Sequence, residues 1–329
     1  MHVLGWYAIL ARSNLLPAGT VEMEPIIAIM GPTATGKTDV GIAVAKAVNG
    51  EIISADSMAV YTGMDIGTAK PDTEAQSRIQ FHLLDIAEPD EPFHVSRFRE
   101  LALEALKQID ERGKKPLLVG GTGLYVRALL DGFGLTQTPA NPLLRESLNR
   151  EAEEIGAPAL HTRLATLDPV AAGRIHPNDR VRIVRALEVY QVTGRPLSEQ
   201  QAEDAAQRQK LPSVKFGLRA TSDELARRID ARVDRMMELG LVREVQNLLD
   251  KGFGSSLPPL GGLGYKETIT YLSGDCSLEQ STEEIKRNTR RFAKRQMTWF
   301  RAEPDLIWID VDAKTVAQIT GEILSTLHR

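Results

Sequence analysis

Eight consecutive residues carry the most legible chemistry in the chain. Gly31, Pro32, Thr33, Ala34, Thr35, Gly36, Lys37 and Thr38 fit G-x-x-x-x-G-K-[S/T] without a mismatch. A strand-like apolar run, Pro25-Ile-Ile-Ala-Ile-Met30, precedes them, and helical periodicity from Asp39 to Val48 follows. That is the setting in which such a loop wraps phosphate. Backbone N–H groups at a helix start point at phosphate oxygens, and Gly36 lets the backbone approach closely. Lys37 adds a cation, and the Thr38 hydroxyl is placed to ligate Mg2+. The pattern specifies a di- or triphosphate and leaves kinase, NTPase and diphosphate-releasing transferase all open.

A carboxylate follows the second strand-like run, Glu51-Ile-Ile-Ser-Ala55, at Asp56. In doubly wound sheets the carboxyl ends of strands line the ligand crevice. Asp56 is therefore expected beside the phosphate loop, as a Mg2+ ligand, a partner for a substrate hydroxyl or a general base. A turn or helix-capping role is the plain alternative. The polar stretch Gly63–Pro71 has no apolar periodicity that would make it core. Gly120-Gly-Thr-Gly-Leu-Tyr125 follows a third strand, Pro116–Val119, and offers backbone donors and the Thr122 hydroxyl; a tight turn would also account for it. Val119 runs straight into glycine, so the third strand lacks the aspartate of motor-type ATPases.

Lys286 to Arg301 holds Lys286, Arg287, Arg290, Arg291, Lys294, Arg295 and Arg301 and no acidic residue. At helical spacing Arg287, Arg291, Lys294, Thr298 and Arg301 share a face, with Phe292, Trp299 and Phe300 interleaved. In a chain of net charge −4, such a segregated stripe points to a nucleic-acid backbone, with a solvated helix face as the alternative. His82, His94, His161 and His176 show no metal-ligand spacing.

These residues need a scaffold, and 329 residues with 42% hydrophobic and 26% charged side chains are enough for about two domains or one with a large insertion. Strand, helix, strand, helix, strand up to Tyr125 is the pattern of a parallel α/β sheet. From Pro142 to about Gln209 the periodicity is helical throughout, and Val214–Arg219 returns to strand character. Helices are expected at Ser222–Leu239, Val242–Lys251, Thr282–Arg301 and Val316–Leu327, a strand at Leu306–Ile309, a loop-rich stretch over 57–93 and a flexible loop over 252–264. The expected organisation is an extension over 1–24, core over 25–135, a helical insertion over 136–210 and the rest of the core over 211–329. The single cysteine, Cys276, excludes an intramolecular disulfide and fits a reducing, cytoplasmic setting. No apolar run reaches the roughly 20 residues of a membrane span. A monomer is expected.

The ordered set of motifs resembles the bacterial tRNA dimethylallyltransferase (tRNA isopentenyltransferase) family. It comprises the phosphate loop, Ser54–Pro71, Gly120–Tyr125, Arg174-Ile-His-Pro-Asn-Asp179, Arg185-Ala-Leu-Glu-Val189, Gly264-Tyr-Lys-Glu267 and Arg291–Arg301. The resemblance runs from about Pro25 to Trp308. It implies a P-loop-kinase-like parallel sheet core with an α-helical insertion domain. It also implies transfer of a dimethylallyl group from dimethylallyl diphosphate to N6 of the adenosine 3′ of the tRNA anticodon. Gly31 to Thr38 would bind the diphosphate, Thr33 would assist catalysis, Thr38 would hold Mg2+, and Asp56 would be the general base. The diphosphate-binding arginine would be Arg228 or Arg232. Contacts to the tRNA anticodon stem-loop would come from Asp56, Ser57, Met58 and Ala59, from Thr122 and Arg145, and from Val181, Arg182, Ile183, Val184 and Arg185. Gly261, Gly262, Leu263, Gly264, Tyr265 and Lys266 complete the implied set, with Arg287, Arg291 and Lys294 added from the basic stripe. At 261 and 262 some members carry larger side chains. The competing readings are a P-loop nucleoside or small-molecule kinase, an adenylate isopentenyltransferase, and a non-enzymatic RNA-binding module. The long Ser54–Pro71 motif and the basic helix tell against the first, and the phosphate loop tells against the last.

Overall fold

The computed structural model describes residues 24–132, 138, 141–206 and 210–328. All but the last residue of the expected extension, and the expected 135/136 boundary, lie outside them. The chain divides into two compact units, one formed by Met1–Asp131 with Lys210–Arg329 and the other by Gly132–Gln209.

The first unit contains strands Ile26–Met30 (β1), Gly50–Ser54 (β2), Phe81–His82 (β3), Lys115–Gly120 (β4), Ser213–Arg219 (β5) and Leu306–Asp310 (β6). They form one sheet in the order β3-β2-β4-β1-β5-β6, with every pair parallel. In register, Met30 lies opposite Gly120 and Gly217, and Ser54 opposite Val119. The strands therefore end together, and the loops after β1, β2 and β4 leave from one edge.

Helices flank this sheet: Lys37–Ala47 (α1), Thr73–Arg78 (α2), Val95–Glu111 (α3) and Gly123–Leu130 (α4). Successive residues of β1 point to opposite faces. Ile26, Ala28 and Met30 join a cluster with Phe98 and Leu106 of α3 and Val126 of α4. Ile27 and Ile29 join another with Val40 and Val44 of α1. Both faces are covered, so β1 is apolar throughout and fully buried. Each buried isoleucine contributes about 1.5–3 kcal/mol.

The second unit is built of Pro142–Ile155 (α5), Ala157–Leu167 (α6), Pro169–Ala172 (α7), Arg180–Thr193 (α8) and Leu197–Ala206 (α9). Its described residues contain no strand. Leu148, Leu160, Leu164, Ile183, Val184 and Leu187 form its core. Asn141, Asp168 and Asp179 cap α5, α7 and α8 through side-chain oxygens, which satisfies N–H groups that a helix start leaves unpaired.

The first unit resumes after β5 with Ser222–Leu239 (α10), Leu241–Asp250 (α11), Tyr265–Leu272 (α12), Leu278–Arg301 (α13) and Val316–Leu327 (α14). Helices α10 to α13 pack with segment 60–64 around Val60, Met64, Ile229, Val233, Val245 and Ile285. The loop-rich 57–93 stretch also contains α2 and the edge strand β3. One expectation is corrected here. The 252–264 stretch is not a flexible loop, for a 3-10 turn at Pro258–Gly261 buries Leu260 completely. Helix α12 was not expected at all. Helix α13 starts a turn before Thr282 because Ser277 and Gln280 form a capping box.

Candidate active site

The phosphate loop joins β1 to α1, as its spacing requires. Gly31 sits at φ +145, and a Cβ there would lie 2.4 Å from the Leu218 carbonyl oxygen, so only glycine fits. Ala34 adopts a left-handed φ of 64 at the tip, a strain that recurs at functional sites. The Thr35 hydroxyl and the Lys37 ammonium both donate to the Pro32 carbonyl, at 2.8 and 2.6 Å. Burial pulls the Lys37 pKa down to about 7; the nearby Arg232 guanidinium lowers it further, and the Asp56 carboxylate opposes both. Three charged groups from three distant parts of the chain thus act on one another here.

Asp56 follows β2. Its Oδ1 accepts the N–H groups of Met58, at 2.9 Å, and Ala59, at 3.3 Å. The turn role and the site role coincide, because that same pinned carboxylate lines the cavity. Thr122, after β4, accepts the Ser57 N–H at 3.0 Å and donates to the Ser57 hydroxyl at 3.3 Å. The second glycine loop is more than a tight turn. A Cβ at Gly120 would strike the Ala55 carbonyl oxygen at 2.2 Å, and one at Gly121 would strike the Gln296 amide nitrogen at 2.6 Å.

The choice between the two arginines follows from helix geometry. Arg228 donates to Glu224 at 2.6 Å and to the Val311 carbonyl at 3.1 Å. Arg232, one turn later, lines the cavity and donates to the Thr68 carbonyl at 3.3 Å. Burial lowers the Arg232 pKa, and Asp56 opposes that shift. Arg232 faces the phosphate loop and Arg228 belongs to a different cluster.

The polar Gly63–Pro71 segment is held from beneath. Glu244 accepts the N–H groups of Asp65, Ile66 and Gly67 at 2.7–3.1 Å and the Tyr265 hydroxyl at 2.7 Å. Lys70 donates to the Tyr61 carbonyl at 2.9 Å and pairs with Asp65 and Asp85. A cavity of about 440 Å³ lies here, lined by the polar Thr33, Lys37, Thr38, Asp56, Thr122 and Arg232 and by the apolar Met58, Val233, Met236, Ile285 and Phe292. Such a volume suits a small organic ligand. Thr38, in the first turn of α1, lines this space. Among the described residues no group of three His, Cys, Asp or Glu could hold a metal ion. The donor set fits Mg2+ carried mainly by phosphate oxygens, the usual arrangement for that ion.

The residues expected to touch RNA divide. Met58, Gly261, Gly262, Leu263 and Lys266 line the cavity mouth with Asp56, Ser57 and Ala59. Gly261 is exposed, with nothing within 4 Å of a Cβ there, whereas a Cβ at Gly262 would meet Met58 at 2.7 Å. Gly264 is buried. Tyr265 is buried too, its ring packed against Gly67, where a Cβ would come within 2.5 Å of it, and both residues belong to the cavity lining. In the second unit Val181 and Arg182 are exposed, but Ile183 and Val184 face the core, because four successive residues go once round the helix and only one side of it meets the core. Arg145 and Arg185 pair with the buried Glu188 at 2.9 and 2.8 Å. Burial alone would raise the Glu188 pKa; hydrogen bonds from the two arginines and the Asn141 N–H outweigh it and hold the group below its ordinary value.

On α13 the residues Arg287, Arg291, Lys294, Thr298 and Arg301 all lie on the exposed side. The density of charge is corrected: Arg287 pairs with Glu284, Lys286 with Asp234 and Arg290 with Asp230. The aromatic residues are not interleaved with the stripe. Phe300 is fully buried, Trp299 packs on Gly123 and under Arg127, and Phe292 lines the cavity with Arg295. The histidines have ordinary partners: His82 meets Glu51, His161 meets the Ala172 and Ile175 carbonyls, and His94 and His176 accept backbone N–H groups.

Gln296 and Glu244 give no local signal in the sequence: Gln296 lies among the basic residues of Lys286–Arg301, and Glu244 sits in an ordinary amphipathic helix. Arg295, one of those basic residues, also lines the cavity.

A doubly wound parallel sheet, a phosphate loop, facing cations and a carboxylate at the strand ends define a phosphate-loop enzyme that acts on a phosphorylated ligand. The sequence model described as IPP transferase matches residues 59–303, and that described as isopentenyl transferase matches residues 24–85. The chain belongs to the IPP transferase family. It is 51% identical over 288 residues to a tRNA dimethylallyltransferase of Desulforudis audaxviator, covering 88% of this chain and 92% of that one. A Geobacter sulfurreducens tRNA dimethylallyltransferase is 48% identical over 289 residues, with 88% and 92% covered. Among solved structures, the full-length tRNA isopentenylpyrophosphate transferase of Bacillus halodurans is 41% identical with a TM-score of 0.65, covering 93% of this chain and all of that one. A eukaryotic dimethylallyltransferase acting on tRNA is 27% identical with a TM-score of 0.74, over 92% and 80% of the two chains. These relatives are transferases, so the kinase reading is set aside. Among the described residues no helix is long and apolar enough to cross a membrane.

Proposed function

We propose that the protein transfers the dimethylallyl group of dimethylallyl diphosphate to N6 of the adenosine 3′ of the anticodon in tRNA, releasing diphosphate. One observation carries this reading: Lys37, Arg232 and Asp56 line a single cavity whose lining also includes apolar side chains. The cations suit the diphosphate, the apolar side chains suit the five-carbon chain, and the carboxylate suits an amine about to lose a proton.

In the reaction the bond from the allylic carbon to the diphosphate oxygen breaks and its electron pair leaves with the diphosphate. The N6 lone pair forms the new carbon–nitrogen bond. Asp56 Oδ1 is engaged by two N–H groups, which leaves Oδ2 to take the N6 proton as general base. Lys37, Arg232 and the loop N–H groups stabilise charge as it develops on the leaving group. Thr38 would hold Mg2+, which would supply further electrostatic stabilisation to the departing diphosphate. The adenine reaches the cavity by leaving its stack. The exposed α13 stripe offers cations to an RNA backbone. The protein acts as a monomer in this reading, and the reaction belongs in the cytoplasm.

Nucleoside mass analysis of unmodified tRNA, incubated with the protein, Mg2+ and dimethylallyl diphosphate, tests the reading. A dimethylallyl increment on adenosine supports it. An increment on free AMP but not tRNA selects the nucleotide transferase, and ATP consumption with no increment restores the kinase.

A further inference from the structure

The side chain of Gln296 reaches inward from α13, on the side away from the basic stripe, and is nine-tenths buried. Its Oε1 accepts the Thr33 N–H at 2.9 Å, and its Nε2 donates to the Gly121 carbonyl at 2.9 Å. Thr33 lies in the phosphate loop. Gly121 precedes Thr122, whose hydroxyl holds the Ser57 N–H next to Asp56. A continuous set of bonds thus runs from the leaving-group cradle through Gln296 to the turn that carries the carboxylate.

We infer that Gln296 is a positioning residue for transfer: its amide sets the spacing between the phosphate loop, which holds the leaving group, and the Asp56 turn, which holds the attacking amine. Only an end group that both accepts and donates can bridge an N–H and a carbonyl. A displacement needs the nucleophile, the carbon and the leaving group in line, and a misplacement of about 1 Å costs on the order of 100-fold. A Cβ at Gly121 would lie 2.6 Å from the Gln296 amide nitrogen, so a side chain there would displace the amide from this position. This inference rests on the reading above, because the spacing matters only if a diphosphate leaves from the loop and a base acts at Asp56.

Gln296→Met tests it, since methionine fills a similar volume and makes neither bond. Four quantities are measured beside the wild type: thermal midpoint, affinity for inorganic diphosphate, affinity for tRNA, and single-turnover transfer with both substrates saturating. The expected result is a rate lower by about 100-fold, with both affinities within about threefold of wild type. A rate within about threefold of wild type overturns the inference, as does a rate loss matched by parallel losses in both affinities, which marks general structural damage. If the methionine variant does not fold, Gln296→Glu, which still accepts from Thr33 but cannot donate to Gly121, is held to the same criteria for rate and tRNA affinity. A wild-type protein that fails to transfer overturns the functional reading, whereas wild-type transfer matched by the variant overturns only this inference.

Discussion

Lys37 makes donor binding depend on pH in a direction that can be worked out. Its pKa is drawn down to about 7 by burial and by Arg232, with Asp56 opposing. A bound diphosphate places negative charge beside the amine and restores the cation. Above pH 7 the free protein must therefore take up a proton to bind. With a free-state pKa of about 7, roughly 0.1 of the amines are charged at pH 8, so about 0.9 proton is taken up there, about 0.5 at pH 7 and about 0.1 at pH 6. The same arithmetic costs about 1.4 kcal/mol per pH unit, or a tenfold loss of affinity for each unit above 7. Titration calorimetry in buffers of different ionisation enthalpy reads the uptake directly. Isopentenyl diphosphate is a suitable probe, because its bond to the diphosphate is not allylic and does not ionise. Lys37→Met should remove the uptake while leaving the fold intact. No measurable uptake at pH 8, or the same uptake in the methionine variant, would refute the argument that Lys37 is held largely neutral until the donor arrives.

Asp56→Asn should lower the transfer rate by about 10²–10⁴-fold while tRNA affinity is unchanged; near-normal turnover would remove Asp56 from the role of base. Arg232→Gln should weaken diphosphate binding and slow transfer, whereas Arg228→Gln, in a separate cluster with Glu224 and Val311, should leave both kinetic quantities alone; the reverse pattern would exchange the two assignments. Replacing Arg287, Arg291 and Lys294 together by glutamine should reduce the slope of log affinity for tRNA against log salt by about 1.5–2, closer to two phosphate contacts than three because Arg287 already pairs with Glu284. An unchanged slope would return that face to ordinary solvation. Glu188→Gln should destabilise the helical unit by about 1–3 kcal/mol, seen as faster amide exchange in α5 and α8. Because the native pairing lowers the Glu188 pKa from 4.5, the lost stability is present above that value and drains away as pH falls through the lowered one, so the variant should lack this part of the acid dependence.

Much of the site was legible because its chemistry is local. The phosphate loop needs eight consecutive residues of set types between a strand and a helix, and each requirement can be read along the chain. Asp56 was legible by topology, since a residue just after a strand in a parallel sheet lies at the ligand edge. Helices such as α10 and α14 were legible through their apolar periodicity. The two-residue β3 and the short α2 and α12 were not, because such pieces are specified by what they pack against.

What the sequence determined by itself was the class of chemistry: a diphosphate cradle, a carboxylate at the strand ends, a basic helix, and an ordered set of motifs shared with a known family. Tertiary structure alone decided which groups meet. Arg228 and Arg232 are chemically identical and one turn apart on one face of α10, and only the fold decides that the second lies beside Lys37 while the first pairs with Glu224. Ile183 and Arg182 are neighbours in sequence, yet one is core and the other surface. Gln296 is separated from Thr33 by 263 residues, and no local pattern announces a hydrogen bond between them. Propensity and spacing act over a few residues along the chain, whereas burial, charge coupling and hydrogen bonding act through space, and the fold alone brings distant positions within their reach.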